Sequence, residues 1–173
     1  MPGYVIHLSI AEEYLKKHDK KENYSEFIEG VIFPDSVTDK SLTHYGKGSS
    51  ESNLVEFLNN NLISNSFYRG YFLHLLTDYL FYNKCIPFFS KDIYNDYDIL
   101  NKELIKKYDV KLPNKVKNKV FFKDASYDKL RILSWDMINA FIREVSSFDI
   151  DKISIDVKNN PNNWNNFTIL KKY

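Results

Sequence analysis

Apolar residues recur along this chain with helical spacing far more often than they alternate. Tyr4, His7, Leu8, Ala11 and Leu15 fall on one face and predict a first helix. "YSEFIEGVIFPDS" predicts a short helix that stops near Gly30 and gives way to a turn at Pro34. Residues 36–50 have no period and are rich in Ser, Thr and Gly, so they predict a loop. The helical pattern resumes through Leu54, Phe57, Leu58 and Leu62, with Ser50 or Ser52 as the expected cap. A strongly apolar helix follows from about Ser66 to Lys84, and Pro87 interrupts it. Tyr97, Leu100, Leu104 and Tyr108 form the stripe of the next helix, and "KLPNKVKNKVFFK" reads as a basic loop. "SYDKLRILSWDMINAFIREVSSF" predicts one long amphipathic helix with Trp135, Ile138, Ile142 and Val145 inward. Only "KISIDV" alternates with period two; it predicts a strand that pairs with "FTILKKY" across an Asn-rich turn. The predicted class is therefore all-α, a single domain over residues 1–173 with about six helices and a small C-terminal hairpin.

Composition narrows the picture. A chain of 173 residues, 43% hydrophobic, can bury one sizeable core. Five Gly and five Pro are few for a many-turned β-sandwich. A formal net charge of +1 gives no support for nucleic acid as a partner. The single Cys85 excludes an internal disulfide and fits a reducing compartment. The opening "MPGYVIHLSIAEEYLKK" lacks the pattern of a secretory signal, and no stretch reaches the roughly 18 apolar residues of a membrane span. A cytoplasmic protein without a transmembrane segment is the expectation.

Four histidines carry the candidate chemistry. His74 and Asp78 lie four residues apart inside the apolar segment "RGYFLHLLTDYLF". On a helix that spacing is about 40°, so both side chains can reach one metal ion, or each other as a satisfied buried pair. Gly70, one turn earlier, would leave room above His74. The loop "IFPDSVTDKSLTHYG" adds Asp35 and, nine residues on, His44. Two imidazoles and two carboxylates form a set that suits zinc or another borderline divalent ion. His7 lies on the apolar stripe of the first helix, where a lone histidine is more often packed than ligating. His18 follows a run of lysines at a helix end and is expected to be exposed. Arg69 falls about 140° from His74 around the helix, so it points away from that pair. Tyr45, Tyr71 and Tyr82 could line a pocket, but with 13 tyrosines in the chain core packing is the better default for each. The lysines of residues 111–123 read as a solvated loop.

In order and rough spacing, these motifs resemble the bacterial zinc-dependent phospholipases C, relatives of the fungal single-strand nucleases. The resemblance rests on His7, "FPD" with Asp35, "THYG" with His44, and "RGYFLHLLTDYLF" with His74 and Asp78, and it spans about residues 1–108. It implies an all-α fold. It further implies that Asp35, His44, His74 and Asp78 hold one zinc, and that Asp78 bridges to a second zinc shared with His7. Two departures stand out. Secreted members place an amino-terminal tryptophan at the second zinc, which this chain lacks. The family's remaining zinc takes two further histidines, whereas this sequence has none after His74.

The expected function is a metal-dependent hydrolase acting on a phosphoester, with one or two zinc ions and a small phosphoester or phospholipid headgroup as substrate. The alternative is a non-catalytic helical binding module that retains one structural metal site. A nucleotide phosphohydrolase of the HD type, which also uses His and Asp on helices, ranks lower.

Overall fold

The structure, a computed structural model, describes residues 2–18 and 21–164. Among them the regular elements are all helical and there is no strand. The helices are α1 (Tyr4–Lys17), α2 (Tyr24–Ser36), α3 (Ser41–His44), α4 (Leu54–Asn60), α5 (Ser66–Leu80), α6 (Ile93–Tyr108), α7 (Trp135–Val145) and α8 (Ile150–Asn159). The all-α class read from the periodicity is the class observed. No helix among the described residues is long and apolar enough to cross a membrane.

Five of the eight helix starts carry a side-chain cap. Asn23, Asn53, Asn65, Ser134 and Asp149 each accept backbone N–H groups of the first turn of α2, α4, α5, α7 and α8. The cap of α4 is thus Asn53, not Ser50 or Ser52. Inward faces then meet in one continuous core around the fully buried Tyr14, Phe27, Phe57, Phe72, Phe81 and Phe141. In that core α1 packs on α2, α5, α6 and α7, and α4 packs on α8.

The closest approach is between α2 and α5, and two glycines make it. A Cβ built at Gly30 would lie 2.0 Å from the Phe67 carbonyl oxygen. One built at Gly70 would lie 2.1 Å from the Phe27 carbonyl oxygen. Backbone meets backbone there, as only glycine permits. Gly30 therefore does not end its helix. α2 continues to Ser36 with Pro34 inside it, so Asp35 sits on a helical turn rather than in a loop. Gly70 likewise leaves no room above His74, because α2 fills it.

Other boundaries also differ from the sequence pattern. The expected loop 36–50 contains the single-turn α3. Leu62 is exposed, because α4 ends at Asn60 and Asn61 turns the chain, its side chain donating to the Phe57 carbonyl and to the Tyr45 hydroxyl. α5 passes into one π-helical turn, Phe81–Cys85, before Pro87. Residues 126–134 are not part of α7. The backbone N–H groups of Arg131, Ile132 and Leu133 all donate to the buried Asp96 carboxylate, at 2.7–2.9 Å, and that pins an irregular strap onto α6. The predicted strand "KISIDV" is helical, within α8. Ile150, Ile153 and Val157 are buried while Ile155 is exposed, a helical pattern that its alternating letters imitate. Its expected partner, "FTILKKY" at 167–173, lies outside the described residues.

If the α2–α5 crossing is a backbone contact, Gly30→Ala and Gly70→Ala should each cost about 3 kcal/mol or more in urea unfolding, the upper end of overpacking effects. Gly48→Ala should change little, since nothing lies within 4 Å of a Cβ there. Equal, small effects at all three positions would refute the crossing.

Candidate metal centre

Five side chains converge from four helices. His7 projects from α1 one turn after Gly3, Asp35 from the last turn of α2, His44 from the end of α3, and His74 and Asp78 from consecutive turns of α5. All five are buried, and their side chains are at most 1% exposed. Every sequence-derived candidate ligand is brought to this one place.

The separations are those of atoms around a common centre. His44 Nε2 lies 2.9 Å from Asp78 Oδ2, 3.4 Å from His74 Nε2 and 3.8 Å from Asp35 Oδ1. His74 Nε2 lies 3.5 Å from Asp78 Oδ2 and 3.9 Å from Asp35 Oδ2. Ligand atoms about 2.0–2.2 Å from a zinc ion stand roughly 3.3 Å apart in a tetrahedral site, so His44, His74 and Asp78 fit one, while Asp35 groups with His74 and His7. The fifth faces the other side of Asp78: His7 Nε2 is 3.1 Å from its Oδ1 and 4.0 Å from Asp35 Oδ2. The His7 and His74 rings stack with centroids 3.8 Å apart and planes within 6°.

The outer hydrogen bonds decide which way the imidazoles face. His74 Nδ1 lies 2.7 Å from the Val31 carbonyl oxygen, and His44 Nδ1 lies 3.1 Å from that of Lys40. A carbonyl only accepts, so both Nδ1 atoms carry the hydrogen and both Nε2 atoms are bare in the neutral rings. Two bare lone pairs then face each other across 3.4 Å. His7 Nδ1 and Nε2 and both oxygens of Asp35 and of Asp78 have no partner with hydrogen-bond geometry, despite the short distances among them. Such groups are costly to bury, and a cation between them removes the cost. The donor set fits a divalent ion.

Lacking an ion, the cluster can hold a proton instead. Burial opposes a charge on His74, but Asp78 and Asp35 outweigh it and hold its pKa above the ordinary histidine value. Burial and the neighbouring His74 keep His7 low, hence neutral, against the pull of Asp78 and Asp35. Burial would raise Asp78, yet His74, His44 and His7 together hold it well below the usual carboxylate range.

Supporting residues are visible only in three dimensions. Tyr4 donates to the Asp35 carbonyl oxygen at 2.9 Å. Lys40 donates to the same carbonyl at 2.7 Å and sits 3.2 Å from Asp35 Oδ1. Tyr71 donates to the Thr43 carbonyl at 2.6 Å, bracing α3, and Tyr45 ends α3 in a left-handed conformation with φ 57°. No sequence signal singles out Lys40. Tyr4 is read only as part of a stripe.

Arg69 does point away from the cluster, but it is not a surface residue. It is buried and pairs with Glu22 and Asp151, with the Tyr14 hydroxyl alongside. His18 is half-buried, its Nε2 near the Ser146 carbonyl and its ring on Tyr14. Cys85 is buried, and burial pushes its thiol up to about 12. In the basic segment Lys115 pairs with Glu29 and Lys119 lies over the Tyr4 ring.

No family model, curated protein or solved structure matches this chain.

Proposed function

We propose that this protein is a metal-dependent hydrolase acting on a phosphoester, a reduced relative of the zinc-dependent phospholipases C. Asp35, His44, His74 and Asp78 hold one divalent ion, zinc by the character of its donors. His7 and the second oxygen of Asp78 offer a place for another. The observation that carries this reading is the convergence of five buried side chains whose bare nitrogen and oxygen atoms face one another.

A bound ion of this kind polarises phosphoryl oxygens and lowers the pKa of water. The chain's own residues do the rest. Val31 and Lys40 carbonyls orient the two imidazoles. Tyr4 and Lys40 fix the end of α2 that carries Asp35. Lys40, partly exposed, is a cation beside the cluster where a phosphate's charge could be met. The sealed ligands favour a second reading, a structural ion that ties α1, α2, α3 and α5 together in a non-catalytic helical module.

Purified protein should carry about one or two equivalents of zinc, manganese or iron by elemental analysis. Near-zero metal after metal-supplemented purification would sink both readings. His74→Ala should lower metal content and melting temperature together; a variant that keeps its metal shows that His74 is no ligand. Turnover of generic phosphomonoester and phosphodiester substrates that disappears in Asp78→Asn selects the enzyme. Metal-loaded protein that turns over none of them selects the structural ion.

The pH dependence has a definite sign. His74 has a raised pKa, so in metal-free protein its stabilising contribution is present below pH 6.5 and is lost as pH rises through the folded value. His7 runs the other way, with its contribution lost as pH falls below 6.5. The contribution of Asp78 is present above pH 3.8 and is lost at lower pH, as its depressed folded value is passed. Above pH 6.5 only His74 among the three is changing. The melting-temperature gap between metal-loaded and chelated protein should therefore widen as pH rises above 6.5. A gap that narrows over that range contradicts ligation by His74.

A further inference from the structure

The loop after α3 folds back over His44. Tyr45 turns it in a left-handed conformation, and the Asn53 N–H closes it by donating to the His44 carbonyl at 2.9 Å. Gly46 lies against the Glu51 carbonyl, where a Cβ would collide. Within this closed loop the Ser49 carbonyl accepts from the Ser52 hydroxyl at 3.1 Å. Ser49 is half-buried and faces two ways. Inward, its Oγ lies 3.4 Å from His44 Nε2. Outward, it lines a recess of about 300 Å³ with Ser50, Tyr82 and Phe89. One side chain thus touches both a surface recess and a candidate ligand atom.

The sense of the Ser49 contact follows from the other side of the ring. His44 Nδ1 lies 3.1 Å from the Lys40 carbonyl oxygen and 3.1 Å from Thr43 Oγ1. The Thr43 hydroxyl directs its own hydrogen at the Pro34 carbonyl, at 2.9 Å, so it accepts from the ring. Both contacts place the hydrogen on Nδ1 and leave Nε2 bare. The Ser49 hydroxyl is then the donor and Nε2 the acceptor. A lone pair engaged in that bond cannot also bind an ion. Charge favours the same side for entry. Lys40, at the rim beside Asp35, repels an approaching cation. The residues lining the recess are uncharged, and the adjoining hollow that shares Ser50 carries Glu51.

We propose that the Ser49 hydroxyl competes with the metal ion for the His44 Nε2 lone pair, and that the recess beside it is where the ion enters. The proposal rests on the metal-binding reading above and holds for the enzyme and for the structural ion alike. In metal-free protein the Ser49 hydrogen bond occupies His44 and delays loading. In loaded protein that bond is gone, because the lone pair is taken. Ser49 thus sets how readily the centre fills without being one of its ligands. A serine with a purely structural role would weaken the site when its hydroxyl is removed. Here removal strengthens it.

The test is stopped-flow loading of the metal-free full chain with Co²⁺, read by visible absorption, together with release into excess chelator. Ser49→Ala should load about fivefold faster and release at the wild-type rate, so that affinity rises about fivefold, the contribution of one neutral hydrogen bond. Metal stoichiometry by elemental analysis should not change. Ser50→Ala, at the exposed neighbour, should load like wild type. The route is tested with Ser50→Cys carrying maleimides of increasing size; Cys85 is buried and stays unlabelled. Loading should slow as the label grows, whereas the same labels on Ser126→Cys, exposed and outside the recess, should change nothing. A Ser49→Ala protein that loads no faster, or that loses affinity, overturns the competition. Labels on Ser50→Cys that leave loading unchanged overturn the route. In both cases the metal centre stands. Wild type that takes up no metal overturns the centre and the proposal together.

Discussion

Asp35 and Asp78 place four carboxylate oxygens in a sealed interior, and no hydrogen bond satisfies any of them. Buried negative charge needs a cation, and the surrounding residues supply little: Lys40 reaches one oxygen of Asp35 from the rim. The neutral His44 and His74 imidazoles face the carboxylates with nitrogen lone pairs. Such an arrangement is unstable as a set of neutral groups and consistent as a set of ligands. Much of the first 80 residues can be understood as the means of holding it.

α2 shows how closely the tasks are combined. Within two turns it presents Gly30 for the crossing with α5, the Val31 carbonyl that orients His74, and Asp35 itself. Pro34 removes the N–H that would otherwise have bonded the Gly30 carbonyl. Because α2 and α5 touch through backbone atoms, the offset between Asp35 and the His74–Asp78 pair is set by hard contact. Side chains that could repack do not control it. α1 adds His7 by stacking it on His74, and the Arg69 network with Glu22 and Asp151 braces the far face of α5.

The shared face of His74 and Asp78 on α5 was legible because four-residue spacing has one geometric meaning on a helix. The inward stripes of α1 and α6 were legible for the same reason. Other signals were degenerate. A glycine that ends a helix and a glycine that admits a neighbouring helix look alike in one sequence, so Gly30 reads as a stop. Ile153, Ile155 and Val157 satisfy two periods at once, and the Asp149 cap together with burial of Ile153 and Val157 settles the matter. Asp96 takes three backbone N–H groups from 35 or more residues away, which no local pattern can announce. Arg69 fails similarly, since its partners are 47 and 82 positions distant. Tyr97 looked like any stripe residue; what sets it apart is a buried hydroxyl without a hydrogen-bond partner, which a sequence does not record.

The sealing of the cluster carries a consequence in time. With ligand side chains showing essentially no surface, neither water nor a chelator can reach an ion held among them in the closed fold. Exchange must wait for a segment to lift, and the segments differ. α5 is locked to α2 through backbone contact, whereas α3 is a single turn. Among the candidate ligands, His44 is thus the one whose departure would cost least. The residence time of any ion bound there would then be a clock for the opening of one short turn, reporting a local motion rather than the strength of the bonds to the metal.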